Sequence, residues 1–310
     1  MAASTSSQSG QNRYGLSRYI PADVARQVRQ NSKFGCVVCR CAIYQYEHIT
    51  PTFDEATAHD PAHICLLCGA CHDRVTRGQL SKETVASAYN QIRDRGGPPP
   101  FSEFDLAHEA LIIDLGLNQF VGPSIIFQID GESMLEFSPP EIGASLPSLS
   151  GKFMDEHGAP LFTIERNVWN GPIDRWDVEV NGRNIIVRNA PGKIALHIEV
   201  RPPNALKICR LVMVKGASHI VIDKDLIIGR QTTMGTFAIG VSGFHAVGAA
   251  VCVSVDTKSD LKPNGQLHMI GGKGIQLEGT GIALGVGAAQ MHINALKLWM
   301  PRNTNQQAMT

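Results

Sequence analysis

The chain has 310 residues, of which 43% are hydrophobic and 18% are charged, and its 28 Lys and Arg residues balance 28 Asp and Glu residues. This composition excludes a fibrous or intrinsically disordered protein, and the zero net charge gives no global sign of a nucleic-acid binder. The length is sufficient for two domains, each with a core of its own. Residues 1–12 form a tail rich in Ser, Gln and Gly that is too polar to fold alone, so we expect it to be disordered.

The N-terminus lacks the basic segment and apolar run of a secretory signal, which predicts a cytoplasmic protein. An uncharged stretch over residues 231–255 is diluted by glycines, alanines and hydroxyl side chains. We therefore expect buried strands there rather than a membrane span.

The residues after the tail predict a small α+β domain over 13–95. A helix is expected from Pro21 to residue 30, short strands over 42–49 and 64–67, and a second helix from Cys71. Ser81 is a typical N-cap for a third helix. The sequence Gly-Gly-Pro-Pro-Pro at 96–100 breaks any helix and predicts a linker between two domains.

Six of the eight cysteines lie between positions 36 and 71, and such clustering favours metal binding over disulfides. Two Cys-x-x-Cys pairs, Cys36/Cys39 and Cys68/Cys71, are separated by 28 residues. Zinc prefers four thiolates in a tetrahedron, so this spacing predicts a structural zinc site. Cys65 falls within a strand and is expected to be a buried residue rather than a ligand.

An acidic residue and two histidines accompany the cysteine pairs, as Glu47-His48 and as His72 directly after Cys71. A carboxylate and an imidazole together can hold Mg²⁺ or Mn²⁺ and leave positions for phosphate and water. A strand directs Glu47 and His48 to opposite faces, so the two have different roles. The histidine can then deprotonate a water molecule.

These motifs in combination resemble an HNH endonuclease over residues 18–78. They are the first Cys-x-x-Cys pair, Tyr-Glu-His-Ile-x-Pro, Ile-x-Leu-Leu-Cys-x-x-Cys-His and the preceding helix. The resemblance implies a ββα-metal finger on a four-cysteine zinc knot that hydrolyses DNA phosphodiesters with one divalent metal. It also implies that Glu47 and His72 bind this metal and that His48 is the general base. His63 occupies the place where the family usually has an Asn, and it would orient the base.

Three arginines near the motif, Arg40, Arg74 and Arg77, are candidates for phosphate contacts, because guanidinium groups suit phosphate oxygens. A solvated basic face is the alternative for all three.

Beyond residue 100 the pattern predicts a mostly β domain over 101–310. Alternating runs flank a hairpin turn at Asn181-Gly182, and further strands are expected over 194–200, 205–214, 220–228 and the glycine-rich stretches 235–255 and 267–296. Such strands predict a sandwich or a solenoid, and no repeat period decides between them. Trp169 and Trp176 are expected to pack in its core.

The sequence thus predicts an α+β protein of two domains, a zinc-supported HNH finger followed by a β domain. We expect a DNA endonuclease whose β domain directs or restrains cleavage as a sensor, targeting or oligomerisation module. Its partners would be DNA, further copies of the chain and an unidentified regulatory ligand, and a role in bacterial defence follows from analogy of architecture. The alternatives are a zinc-finger nucleic-acid-binding or scaffold protein with a degenerate nuclease site, and a structural β protein with a zinc interaction arm.

Overall fold

The computed structural model describes residues 10–106, 111–138, 148–232, 235–243, 245–247, 251–255, 267–270, 274–277, 282–284, 291–292 and 295–299. The described residues form three helices and 24 strands, so the α+β, β-rich composition predicted from the sequence is confirmed. In the described residues, no helix combines the length and the apolar character needed to cross a membrane.

The chain divides into two compact units. Unit 1 comprises residues 1–102, 170–182 and 187–192, and unit 2 comprises residues 103–169, 183–186 and 193–310. Unit 1 therefore includes a segment that follows the predicted linker by about 70 positions along the chain.

The first part of unit 1 is a β-hairpin between helices. Its elements are α1 (Ala22–Asn31), β1 (Gln45–His48), β2 (Ile64–Leu67), α2 (Gly69–Thr76) and α3 (Lys82–Arg95). The hairpin is antiparallel and sets Glu47 opposite Cys65. All four residues of β2 are buried because both faces of the strand are covered. Ile64 packs with Val28 of α1 on one face, while Cys65 packs on the other with the cysteine knuckles and α3.

Local sequence explains where these helices begin. The Ser81 hydroxyl accepts a hydrogen bond of 3.1 Å from the Thr84 N–H and caps α3, as predicted. The Cys68 sulfur accepts from the Cys71 N–H at 3.4 Å and caps α2 in the same way. The second cysteine pair therefore forms the first turn of α2 and holds the residue after it, His72, in a defined orientation.

The segments 170–182 and 187–192 complete unit 1, and the first of them makes polar contacts with α1 and the hairpin. Arg29 of α1 makes two hydrogen bonds to the Asp177 carboxylate, at 2.8 and 2.7 Å. Its third donor reaches the Tyr46 hydroxyl at 2.7 Å. The Tyr44 hydroxyl accepts a bond of 3.4 Å from the Val180 N–H. Unit 1 is therefore stabilised by contacts between two distant parts of the sequence.

Unit 2 is formed by two large sheets. The remaining strands of the chain are β3 (Phe101–Glu103), β4 (Ile112–Leu115), β5 (Asn118–Val121), β6 (Ile125–Ile129), β7 (Glu132–Ser138), β8 (Ser148–Met154), β9 (Pro160–Glu165), β10 (Val168–Asn170), β11 (Asp177–Asn181), β12 (Asn184–Ala190), β13 (Lys193–Arg201), β14 (Ala205–Lys215), β15 (Ser218–Ile222), β16 (Leu226–Thr232), β17 (Gly235–Ser242), β18 (His245–Val247), β19 (Val251–Val255), β20 (Leu267–Ile270), β21 (Gly274–Leu277), β22 (Ile282–Leu284), β23 (Met291–His292) and β24 (Ala295–Trp299).

The strand order in one sheet includes β20-β21-β22-β19-β6-β7-β8-β9-β10, and in the other β23-β18-β5-β4-β14-β15-β16-β17-β24 with β13 beside β14. Neighbours are mostly antiparallel, and β4 with β14, β5 with β18 and β6 with β19 are parallel pairs. The two sheets contact each other where β8 lies against β14. Mostly antiparallel sheets in contact are typical of a layered β fold rather than of a parallel solenoid.

The strands predicted from the sequence agree with the structure in only part of the β region. The run predicted as a strand over 220–228 is two antiparallel strands, β15 and β16, separated by a turn that includes Asp223. Seven strands from β4 to β10 lie in a region where no strand was predicted. The hairpin turn predicted at Asn181-Gly182 lies one position later, at Gly182 and Arg183 between β11 and β12, with Gly182 at φ +55°. The predicted stretches 235–255 and 267–296 lie partly outside the described residues.

The two tryptophans lie in different environments. Trp169 is buried in unit 2 and stacks on Phe162, with ring centroids 5.2 Å apart, which agrees with the prediction. Trp176 instead belongs to unit 1 and is only half-buried. The Arg26 guanidinium lies 4.7 Å from its ring centre. The expectation that Trp176 packs in the core of the β domain was therefore wrong.

Candidate metal centres

The two Cys-x-x-Cys pairs converge on one point. The sulfur atoms of Cys36, Cys39, Cys68 and Cys71 all lie within 4.8 Å of one another. The Cys39 and Cys68 sulfurs are 3.5 Å apart, close to the separation of about 3.8 Å between ligands on a tetrahedral zinc with bonds of about 2.3 Å. The predicted four-cysteine metal site is confirmed in its geometry, and the ligand chemistry fits structural zinc.

The thiols of this cluster differ in their protonation, and hydrogen bonds from Cys71 and Cys39 lower the pKa of Cys68 despite its burial. Burial raises the pKa of Cys39 to about 11. Burial likewise raises the pKa of Cys71. Because zinc binds thiolates, a metal ion would supply the charge that keeps these sulfurs deprotonated. Cys65 is fully buried and lies outside the four-sulfur cluster, as predicted.

Arg40 supports the first cysteine knuckle from inside. It is 5% exposed, and its guanidinium donates to the carbonyl oxygens of Pro98 at 2.9 Å, Ser32 at 3.0 Å and Lys33 at 2.6 Å. Two further bonds of 3.3 Å reach the carbonyls of Gly35 and Cys36. Its donors are thus occupied by the backbone, which corrects the expectation that Arg40 contacts phosphate.

A second polar group lies beside the cysteine cluster, on β1 and α2. The Glu47 Oε2 atom is 3.1 Å from the His72 Nε2 atom. The side chain of Glu47 is 15% exposed and that of His72 is 39% exposed, so the pair is accessible from solvent. The hairpin register and the cap of α2 position these two residues, and the carboxylate and imidazole together offer two ligands to a hard divalent cation.

Lys82 also contacts Glu47, which the sequence did not indicate. Its ammonium group, in the first turn of α3, donates to the Glu47 Oε1 atom. It also donates to the backbone carbonyl of His48 at 2.6 Å. One carboxylate oxygen is therefore paired with Lys82 while the other faces His72. Because 35 positions separate Glu47 from Lys82 along the chain, no local spacing predicts this contact.

His48 points to the opposite side of β1, into the loop between the strands. It is 8% exposed. The His48 Nε2 atom is 3.2 Å from the His59 Nδ1 atom, and the Phe53 ring meets the imidazole edge-on with centroids 5.5 Å apart. Burial lowers the pKa of His48, and the neighbouring His59 lowers it further. A lowered pKa favours the neutral imidazole that a general base requires.

His63 does not occupy the expected position against His48. Its side chain is 54% exposed and its Nε2 atom lies 3.8 Å from the Asp60 carboxylate. Its backbone carbonyl accepts from the Ile49 N–H at 2.8 Å. Among the described residues, His59 rather than His63 bonds to the His48 imidazole. No local spacing in the sequence predicts this contact, because the position of His59 depends on the path of the loop.

A cleft of about 580 Å³ opens over Glu47, His48 and His72. Its lining residues are Arg18, Tyr19, Ile20, Ala25, Gln45, Tyr46, Glu47, His48, Phe53 and His72. The sequence did not single out Arg18 and Tyr19. Tyr19 is 74% exposed, and the Arg18 guanidinium lies 4.5 Å from the Phe53 ring centre.

The segment before α1 is docked on the loop between the strands. The Asn12 side-chain amide donates to the carbonyls of Phe53 at 2.6 Å and Ala56 at 2.7 Å. Of the tail predicted over 1–12, residues 1–9 lie outside the described part of the chain, and Asn12 is anchored. These contacts hold Arg18 and Tyr19 at the edge of the cleft.

The remaining predicted arginines lie on the exposed side of α2. Arg74 is exposed, and Arg77 pairs with Asp73 one turn earlier, with a distance of 2.8 Å. An exposed pair of this kind contributes less than about 1 kcal/mol, so Arg77 can exchange its partner for a phosphate.

Comparison of the chain with protein-family models, with curated proteins and with solved structures gave no match.

Proposed function

We propose that this protein is a divalent-metal-dependent endonuclease of the HNH type that hydrolyses DNA phosphodiester bonds. The observation that carries the proposal is the Glu47–His72 pair at 3.1 Å, adjacent in the hairpin to His48 and supported by the four-cysteine cluster. A metal-ligand pair between β1 and α2 and a neutral imidazole on β1 are the groups that this hydrolysis needs.

Glu47 and His72 would hold Mg²⁺ or Mn²⁺, with the other positions taken by water and phosphate oxygens. When bound, this ion would neutralise charge on the phosphate and on the leaving oxygen. His48 would accept a proton from the attacking water as the new oxygen–phosphorus bond forms. The bond from phosphorus to the leaving oxygen then breaks, and that oxygen takes up a proton from solvent water.

The surface around the cleft supports DNA as the substrate. Arg18 and Tyr19 border the cleft, and Arg74 and Arg77 lie on the exposed side of the helix that carries His72. Arginines suit phosphate oxygens, and an exposed aromatic ring suits stacking with a base. The chain has no net charge, but these phosphate-binding side chains would lie near the catalytic groups.

Unit 2 would direct or restrain cleavage, as a sensor, a targeting module or an oligomerisation module. The course of the chain supports this role, because residues 170–182 and 187–192, which lie between strands of unit 2 in the sequence, belong to unit 1, where Asp177 contacts α1. A regulatory ligand, self-association, a cytoplasmic location and a role in bacterial defence belong to the same proposal.

A second candidate is a zinc-supported nucleic-acid-binding or scaffold protein with an inactive nuclease site. One observation favours it specifically, the contact between the Lys82 ammonium and Glu47, since this cation competes with a metal ion for the carboxylate. The exposed position of His63, where the family usually has Asn, points the same way.

Plasmid nicking by the full chain separates the two candidates. We expect nicking with Mg²⁺ or Mn²⁺, none with EDTA, and a loss of about 100- to 10,000-fold in His48→Ala, the range typical of a general base. His157→Ala is the matched control, because His157 is a 79% exposed histidine in unit 2. Equal nicking by the wild type and His48→Ala would indicate a contaminating nuclease and refute the proposal. Metal-independent DNA binding without nicking would support the second candidate.

A further inference from the structure

A hydrogen-bonded chain of three groups runs behind the cleft. The His48 Nε2 atom is 3.2 Å from the His59 Nδ1 atom. The His59 Nε2 atom is in turn 2.8 Å from the backbone carbonyl oxygen of Ser17. Both distances are those of ordinary hydrogen bonds, so the two imidazoles and the carbonyl form one continuous relay.

The carbonyl at the end of this relay determines where the protons are. A carbonyl oxygen only accepts, so the His59 Nε2 atom must carry the hydrogen that is donated to Ser17. In a neutral imidazole the other nitrogen is then the acceptor, which makes His59 Nδ1 an acceptor. The His48 Nε2 atom must therefore carry a hydrogen, and the free lone pair of His48 lies on Nδ1.

We infer that His59 is a positioning residue for His48 and holds it in the tautomer and ring orientation whose Nδ1 atom accepts the proton. The inference rests on the proposed nuclease function for its catalytic consequence. When a water proton moves to Nδ1, the imidazolium keeps its Nε2–H bond to His59 and no second proton moves. The His59 Nδ1 lone pair continues to accept from His48, and the Ser17 carbonyl continues to accept from the His59 Nε2–H.

The loop that carries His59 has anchors of its own. Asn12 binds its carbonyl groups at Phe53 and Ala56, and the Asp60 carboxylate accepts from the Ala62 N–H at 2.8 Å. Removal of the His59 ring therefore breaks the relay without removing these contacts. A purely structural role would predict the reverse, with the effect confined to stability.

The experiment compares His59→Leu with His59→Gln in the full chain, with plasmid DNA and Mn²⁺. Leucine removes both bonds, whereas the glutamine amide can accept from His48 through its oxygen and donate to Ser17 through its nitrogen. We expect kcat to fall about 10- to 100-fold in His59→Leu with KM for DNA unchanged, the range for residues that orient a functional group. His59→Gln should recover most of that loss. Thr57→Ala, in the same loop and exposed, is the matched control.

The outcomes separate this inference from the proposed function. If His48→Ala is inactive and His59→Leu has wild-type kcat, the nuclease stands and the positioning role is refuted. If leucine and glutamine lower kcat equally in folded, zinc-loaded protein, hydrogen bonding by residue 59 is not the cause and the inference also fails. If the wild type does not nick DNA at all, the proposed function fails.

Nitrogen NMR of histidine-labelled wild-type protein tests the relay without any activity. We expect both His48 and His59 with hydrogen on Nε2 and a lone pair on Nδ1 at neutral pH. Hydrogen on the His48 Nδ1 atom would overturn the inference even if the enzyme is active. His59→Leu should place the His48 nitrogen shifts between those of the two tautomers, and unchanged shifts would count against the relay.

Discussion

Replacement of Asp177 by alanine tests whether the segment 170–182 stabilises the hairpin and helices of unit 1. Asp177 and Arg29 form a two-bond ion pair whose side chains are 3% and 8% exposed. Arg188 adds a third bond to the same carboxylate at 3.1 Å. Burial alone would lower the pKa of Arg29, but the bond and charge of Asp177 together with the nearby Tyr46 and Tyr44 outweigh burial, and the net shift of that pKa is upward. Asp177→Ala would thus leave a charged, buried guanidinium without its partner.

The expected loss of free energy of unfolding is large because the ion pair is buried. Removal of one partner from a buried ion pair typically destabilises a protein by about 3–5 kcal/mol. Asp174→Ala is the control, since Asp174 is 81% exposed and lies 3.8 Å from Arg175. An exposed pair of this kind contributes about 0–1 kcal/mol. The double variant Arg29→Met/Asp177→Leu should recover part of the loss, because no unpaired charge then remains buried.

Hydrogen exchange measures the change of stability within unit 1. A global unfolding curve does not isolate this change, because the protein has two units. The free energy of opening in peptides over β1 and β2 should fall by the amount given above in Asp177→Ala and stay unchanged in Asp174→Ala. A difference of less than about 1 kcal/mol between these two variants would refute the assignment of this segment to the finger.

Three further predictions concern the metal centres and the arginines. Cys68→Ser should lose bound zinc, measured by elemental analysis, whereas His48→Ala should keep it; zinc loss in both would mean one shared site. Glu47→Gln should lower nicking by about 100-fold or more at saturating DNA while zinc content is unchanged, and wild-type nicking would exclude Glu47 as a metal ligand. Arg40→Ala should lower the melting temperature, because several backbone carbonyls lose their donor. Arg74→Ala should leave the melting temperature unchanged and reduce the salt slope of DNA binding by about 1. An unchanged melting temperature in Arg40→Ala and a lowered one in Arg74→Ala would contradict the buried position of Arg40 and the exposed position of Arg74.

The sequence alone was sufficient for the features that depend on neighbours along the chain. Each Cys-x-x-Cys pair brings two sulfurs together within one turn, so the four-cysteine cluster needed only the pairing of the segments that carry them. The span of β2 and the Ser81 cap followed from periodicity and from the chemistry of helix ends. The HNH resemblance drew on the same local patterns, and it remains a proposal about function.

The tertiary structure decided the contacts between residues that lie far apart in the chain. It turned Arg40 inward, paired Lys82 with Glu47, set Asp177 against Arg29 and brought His59 rather than His63 to His48. These contacts depend on the path of a loop and on how separate segments pack, and neither leaves a period in the sequence. The cysteine site could therefore be predicted from spacing, whereas the groups that contact Glu47 and His48 could not.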